Sequence, residues 1–316
     1  MREINEKKYS EMQLSEIVGL ARGDQQAFVN KSEDYYNAQV MAAAQKIAAN
    51  RHIKFVLLCG PSASGKTTTA HKLKHRLISL GVGARVVSMD NFFLGMEHYP
   101  TLPSGKPDME SFLAVDLQML NSCFAALLQN GKALFPEFDF IQQRRVPESH
   151  RMALGENDVL IMEGIHALNP QVLSNIAHEN LFRIYVSVRT QVLDGDETVL
   201  VPKDIRLMRR MVRDHHFRNY PPLETLENWA NVVAGERENI DPYRDQVDLK
   251  MDNTIDYEVC VWRGLLLGLL SEFLPVVFGS YPGIQRLFAG LERFPEINPA
   301  LIPQNSLLRE FVGKTV

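Results

Sequence analysis

The sequence predicts an α/β fold, a mainly parallel sheet flanked by helices, and two patterns carry that expectation. Short runs rich in β-formers, IKFVLLC, ARVVSM, VLIM and FRIYVSV, alternate with stretches of helical apolar spacing. That alternation is the signature of strand–helix–strand units around a parallel sheet. A glycine-containing turn, GPSASGKT at residues 60–67, falls between the first of these strands and the helix after it. The composition agrees. With 316 residues, 45% hydrophobic and 23% charged, the chain can bury a full core without disulfide or metal staples.

Taken in order, residues 1–50 are expected to be a helical extension. QLSEIVGLARG and AQVMAAAQKIAAN have helical patterning, and Gly23-Asp24 separates them. IKFVLLC reads as a buried strand and KTTTAHKLKHRLISL as the helix after the turn. ARVVSM (84–89) is the next strand, and GMEHYPTLPSGKP (95–107), with three prolines and two glycines, is a loop. VDLQMLNSCFAALLQ is helical; VLIM (159–162) and FRIYVSV (182–188) are strands; IRLMRRMVRDHHF is a basic helix; VDLKM (247–251) is a last strand. Helical patterning from Tyr257 to Pro295 makes 256–316 a second helical extension, leaving 51–255 as the central domain.

Charge and cysteine usage narrow the function classes. Lys plus Arg total 34 and Asp plus Glu 38, a net charge of -4, which argues against a dedicated nucleic-acid binder. Cys59, Cys123 and Cys260 are far apart and form no CxxC pair, against a disulfide framework or a Cys-rich zinc site. The opening MREINEKKYSEMQ lacks the apolar core of a signal peptide. The most apolar stretch, VCVWRGLLLGLLSEFLPVVFG, is broken by Arg263, Glu272 and Pro275, so no membrane span is expected. The expectation is a cytoplasmic protein in a reducing compartment, with a small-molecule partner rather than nucleic acid or membrane.

The turn at 60–67 matches GxxxxGK[ST] at every position. Gly60 and Gly65 allow the backbone to wrap a phosphate, and the N–H groups of Pro61-Ser62-Ala63-Ser64-Gly65 and the residues that follow (Pro61 itself having none) form an anion nest. The helix beginning at Lys66-Thr67-Thr68 adds its positive end, Lys66 reaches the β- and γ-phosphates, and the Thr67 hydroxyl ligates magnesium. The expected cofactors are therefore ATP and Mg2+ on a P-loop NTPase-type sheet. No guanine-reading NKxD follows the loop, against a GTPase.

Ligands of open parallel sheets bind beyond the carboxyl ends of the strands. Asp90 follows ARVVSM and Glu163 follows VLIM, so both lie on the phosphate-loop edge. Asp158 starts the VLIM strand, about 16 Å away. Glu163 is the natural magnesium carboxylate, directly or through water; otherwise it is an acid in a strand-end turn. Asp90 suits an acceptor hydroxyl whose proton must be taken, or caps a following helix. Arg206, Arg209, Arg210 and Arg213 share a helix face. They form either a lid over a transferring phosphate or a solvated basic face partnered by Asp204 and Asp214. His166 reads as a core or supporting group, and no metal role is expected of His215-His216.

GPSASGKTT, SMDNFF, FPEFDF, VLIMEGIHALNP and RLMRRMVRD occur in the order that resembles the uridine kinase and phosphoribulokinase family of P-loop kinases, over roughly 50–255. That resemblance implies that Asp90 is the catalytic base and that Lys66, Arg206, Arg209 and Arg213 neutralise the γ-phosphoryl. It implies that Phe93 packs on the acceptor, that Glu110 binds the acceptor's sugar hydroxyls and that Phe138 stacks on a nucleobase. EGIHALNP, RRMVRDHHFRNY, ERENIDPY and IPQNSLLREFVG resemble a longer bacterial uridine kinase-like branch, whose extra N-terminal domain similar to one in threonyl-tRNA synthetase is not expected within the first 50 residues. Uridine kinases usually carry Tyr where Phe93 and Phe138 stand, and a His where Gln142-Gln143-Arg144-Arg145 follow. The family default is transfer to the 5′-hydroxyl of uridine or cytidine. Arg144 and Arg145 would also suit an anionic acceptor, which keeps a kinase of another alcohol open (a sugar phosphate or vitamin-like metabolite). A nucleotide-binding regulatory module is the third reading.

Overall fold

A computed structural model describes residues 10–102, 105, 107–139, 142, 144–218, 220–271 and 283–313. Expectations that fall on residues 1–9, 103–104, 106, 140–141, 143, 219, 272–282 and 314–316 lie outside these. The described elements are β1 (Ser10–Gln13), α1 (Leu14–Arg22), α2 (Gln25–Ala48), β2 (Phe55–Cys59), α3 (Lys66–Ser79), β3 (Ala84–Ser88), α4 (Leu117–Asn130), β4 (Lys132–Asp139), β5 (Arg144–Ala153), β6 (Val159–Glu163), β7 (Leu181–Ser187), β8 (Thr190–Asp194), β9 (Glu197–Leu200), α5 (Pro202–Arg218), α6 (Pro222–Asn239), β10 (Leu249–Asp252), α7 (Glu258–Ser271), α8 (Ile284–Glu292) and α9 (Arg309–Val312). Among the described residues no helix is long and apolar enough to cross a membrane.

Five parallel strands make the main sheet in the order β10-β7-β2-β6-β3. Every residue of β2 and β6 is buried, which is why both read as unbroken apolar runs rather than alternating ones. The period of two still sorts them. Val56, Leu58 and Ile161 face one core, with α2, α3, α5 and α7, while Phe55, Leu57, Cys59 and Met162 face the other, with α4. The chain leaves β2 toward β3 on one side and later crosses to β7 on the other. The end of β2 is thus a topological switch point, the usual crevice for a ligand.

The first core also takes in Ile17, Phe28, Tyr36 and Ile47 from the N-terminal helices and Leu307, Leu308 and Phe311 from the C-terminal stretch. Asp24 caps α2 by accepting from Ala27 N at 3.0 Å. The N-terminal extension is not wholly helical. Ser10–Gln13 is extended and pairs in parallel with β8, completing a small sheet β1-β8-β9. Only Met12 of these four residues is buried, too little for a strand pattern of their own, and pairing with a strand 180 residues away sets their extended form. The antiparallel ribbon β4-β5 also escapes sequence reading, because Pro136 interrupts β4 and β5 is largely polar.

Candidate active site

The phosphate loop leaves β2 where backbones are closest. A Cβ on Gly60 would stand 2.1 Å from the Val186 carbonyl oxygen of neighbouring β7, so only glycine fits. Gly65 has φ 83°, the left-handed conformation that turns the chain into α3, and Ala63 shares that region at φ 58°. A non-glycine residue there is strained and persists only if its surroundings hold it.

They do, from behind. Arg206 Nη1 donates to the Ser62 carbonyl at 3.3 Å, Arg209 Nη1 to the Ala63 carbonyl at 3.3 Å, and Asn253 Nδ2 to the Ser64 carbonyl at 2.9 Å. Because the peptide is planar and trans, gripping the carbonyls of Ser62 and Ser64 turns the Ala63 and Gly65 N–H groups away from the grip. Arg210 Nη1 donates to Ser62 Oγ at 2.8 Å, and Lys66 Nζ to the Pro61 carbonyl at 3.2 Å. The Ser64 hydroxyl is buried without a hydrogen-bond partner. Such a loop fits an anion.

Arg206 and Arg209 are therefore placed differently from the lid the sequence predicts. Arg209 is 0% exposed; Nε and Nη2 bind both oxygens of Glu258 at 2.6 and 2.9 Å, and Nη2 also donates to the Asn253 carbonyl at 2.6 Å. Arg206 makes a two-pronged pair with Glu236 at 2.5 and 2.7 Å. Their charges are matched by buried carboxylates on α7 and α6, partners that sequence spacing could not show. The solvated-face alternative fails for them as well, since both are buried. Arg213 lies in a different setting. Arg210, Arg213 and Arg218 converge at 3.2–3.4 Å on one buried carboxylate, Asp214, which leaves an excess of positive charge. Burial and the neighbouring Arg218 and Arg210 hold the Arg213 pKa below its usual value. Arg210 and Arg218 thus join Arg213 as the cations with charge to spare. Asp204 pairs instead with Arg286 at 2.6 Å.

The acids line the other side. Asp90 sits in a 3-10 turn, Met89–Phe92, at the end of β3, and Ser88 rather than Asp90 caps that turn, accepting from Asp90 N at 3.3 Å. The carboxylate is spared for other work. Burial raises its pKa, opposed by the charges of Lys66 and Arg218. Glu163 ends β6, and the Thr67 hydroxyl donates to its Oε1 at 3.4 Å. Burial and the Asp90 charge push Glu163 up to about 7, with Lys66 opposing. Burial likewise pushes Glu110 up to about 7, opposed by Arg210 and Lys66. Three carboxyls, Asp90, Glu110 and Glu163, thus feel the charge of the one Lys66 ammonium. The hydroxyl of Thr67 beside the Glu163 carboxylate is a hard oxygen pair of the kind magnesium takes. Asp158 is remote, at the start of β6, where it accepts from Gly155 N at 2.8 Å.

Phe93 and Phe138 meet edge to face at 6.1 Å, and Tyr99 packs on Phe93 at 6.1 Å. Both phenylalanines are 7% exposed, so they wall the second core as much as they face a cleft. Arg145 is paired with Asp116, the cap of α4, at 2.5 Å. That pair ties the β4-β5 ribbon to α4. Two further groups of this site, Tyr99 and Glu310, escaped sequence reading, and His166, expected as a core or supporting group, is buried. The Tyr99 hydroxyl is buried beside Asp90 and raised to about 12 by burial and that charge. The His166 imidazole packs edge-on to Phe112 at 5.4 Å, and burial with the Lys66 charge lowers it to about 4. Glu310, from the far end of the chain, reaches Thr68. His166 and Glu310 fall within EGIHALNP and IPQNSLLREFVG, segments that marked a family branch but gave neither residue a role in the site.

A parallel sheet with a phosphate loop at its switch point, Thr67 and Glu163 beside it, and an acid at the next strand end is the architecture of a P-loop kinase. Residues 55–259 match the Phosphoribulokinase / Uridine kinase family, and the chain belongs to it. Its relatives include a uridine kinase of Schizosaccharomyces pombe, 28% identical over 191 residues, which are 60% of this chain and 38% of that protein. A uridine kinase of Halobacterium salinarum is 22% identical over 193 residues, 61% of this chain and 76% of that one. The chain thus spans well under half of the fission-yeast relative. Among solved structures, YFH7 of Saccharomyces cerevisiae, described as a P-loop containing kinase with a circular permutation, shares the fold at TM-score 0.50 and 12% identity, covering 67% of this chain and 98% of that one.

Proposed function

We propose that the protein transfers the γ-phosphoryl group of Mg-ATP to a hydroxyl of a small acceptor, the 5′-hydroxyl of a nucleoside being favoured by the uridine kinases among its relatives. The observation that carries this reading is the phosphate loop at the end of β2 with the Thr67 hydroxyl donating to Glu163 beside it and Asp90 at the end of β3. ATP with magnesium supplies the phosphoryl group and part of its charge neutralisation. The chain does the rest by positioning and electrostatics, which dominate phosphoryl transfer. The loop amides and Lys66 hold the phosphates, and Thr67 with Glu163 is the magnesium locus. Asp90 orients the acceptor hydroxyl and takes its proton, Glu110 accepts from acceptor hydroxyls, and Arg210, Arg213 and Arg218 balance the charge that develops.

An acceptor screen tests this. ADP release from Mg-ATP is followed across nucleosides, sugar phosphates and vitamin-like alcohols, with Asp90→Asn as control. Turnover with uridine or cytidine that falls roughly 100-fold or more in Asp90→Asn, while ATP still binds, is the expected result. Turnover unchanged in Asp90→Asn refutes the base; turnover with only another alcohol replaces the acceptor and keeps the chemistry. The engagement of Arg145 by Asp116 weighs against an anionic acceptor held by that side chain.

A further inference from the structure

We propose that Glu310 is an internal anion that occupies the phosphate-binding end of α3 and must be displaced by the incoming nucleotide, so that the C-terminal segment sets nucleotide affinity. The inference rests on the nucleotide reading of the phosphate loop.

The first turn of any helix has N–H groups with no intrahelical partner, and in a phosphate loop these are donors to the ligand. In α3 the intrahelical ladder starts at Thr69, whose N–H reaches the Gly65 carbonyl at 3.0 Å. Thr68, one residue earlier, has both its donors taken by one carboxylate oxygen. Glu310 Oε2 accepts from Thr68 N at 3.2 Å and from Thr68 Oγ1 at 2.7 Å. A carboxylate is a fair substitute for a phosphate edge, and a helix end favours its charge.

The segment around Glu310 is firmly seated. Leu307, Leu308 and Phe311 are each 0% exposed. Leu307 lies against the loop itself, so that a Cβ on Gly65 would stand 2.6 Å from its Cδ1. The Phe311 ring packs under the Arg209 guanidinium at 5.3 Å. The Ser306 hydroxyl bonds Glu33, which also accepts from Tyr257 at 2.8 Å. Displacement therefore involves the half-buried Glu310 side chain rotating away, not the segment lifting off. Its carboxylate adds negative charge near Glu163 and faces the positive charge of Arg213. The two hydrogen bonds to Thr68 make Glu310 a competitor for the donors a nucleotide phosphate would use.

The test is a titration of the full chain with ATP and with Mg-ATP, comparing wild type, Glu310→Gln and Glu310→Asp, with a thermal melt of each. Glu310→Gln keeps the shape and removes the charge; Glu310→Asp withdraws the carboxylate by one methylene. The expected result is nucleotide binding about tenfold tighter in Glu310→Gln, the scale of one hydrogen bond to a charged group, with a smaller gain in Glu310→Asp and a lower KM for ATP at similar kcat. Equal or weaker binding by folded variants overturns the gate and leaves Glu310 a helix cap, provided that Lys66→Ala still weakens ATP binding. If Glu310→Gln does not fold, unchanged affinity in Glu310→Asp overturns it equally. ATP binding indifferent to Lys66→Ala removes the nucleotide site, and the gate falls with it.

Discussion

Replacing Arg209 by alanine separates a loop-bracing role from a lid role. The guanidinium is 0% exposed and donates to both oxygens of Glu258, to the Asn253 carbonyl and to the Ala63 carbonyl. Its removal leaves Glu258 buried and unpaired, and Ala63 strained at φ 58° without its brace. Breaking a buried ion pair from one side destabilises by about 3–5 kcal/mol. At about 2–4 °C per kcal/mol for chains somewhat shorter than this one, the melting midpoint falls by roughly 10 °C. The double substitution Arg209→Met/Glu258→Met removes both charges and recovers most of that loss, because no buried charge is left alone. It does not restore the brace on Ala63, so ATP affinity stays reduced although the fold is stable. Melts and ATP titrations of the three proteins decide the matter. An Arg209→Ala protein that melts within about 2 °C of wild type and loses only turnover refutes the bracing argument, since surface-like substitutions have effects of that size.

Two further expectations concern the carboxyls and the loop. Glu163 titrates near 7 in the folded chain, above the usual carboxylate range, so between about pH 4.5 and 7 the folded state holds more protons than the unfolded state. Stability from this group is present at low pH and is lost as pH rises through that window, and Glu110 acts in the same direction. Melts of nucleotide-free protein from pH 5 to 8 show a decline that is shallower in Glu163→Gln; parallel slopes contradict the assignment. Gly60→Ala places a methyl 2.1 Å from the Val186 carbonyl and forces β2 from β7, at about 1–3 kcal/mol or more, with loss of ATP binding. Wild-type affinity in that variant shows that the strands can part there without consequence for the loop.

The contrast between Arg209 and Arg213 shows how far the sequence reaches into this site. Both sit on one face of one helix with the same spacing and the same charge, and nothing local tells them apart. The partners do: Glu258, which comes 49 residues after Arg209, neutralises it, whereas Arg213 shares Asp214 with two other arginines. Arg145 makes the same point, since Asp116 lies 29 residues earlier in the chain. Asp90 and Glu163 were legible because a parallel sheet places strand ends on one edge, which is a property of sequence order. Tyr99 and Glu310 were not, and His166 was legible only as a core or supporting group, because burial beside a charge leaves no trace in spacing.

By itself the sequence determined the alternation of strands and helices, the phosphate loop, the edge on which the acids lie and the family resemblance. Each of these rests on periodicity or on fixed spacing within one short segment, which local backbone geometry translates directly into structure. Only the tertiary structure decided that Ser10–Gln13 would be a strand, which arginines brace the loop, and that the last turn of the described chain would rest on the first turn of α3. Those features depend on pairing between residues from 144 to 242 positions apart in the cases of Arg206, Arg209, Ser10 and Glu310. Burial and charge matching settle such pairings only once the whole core has closed.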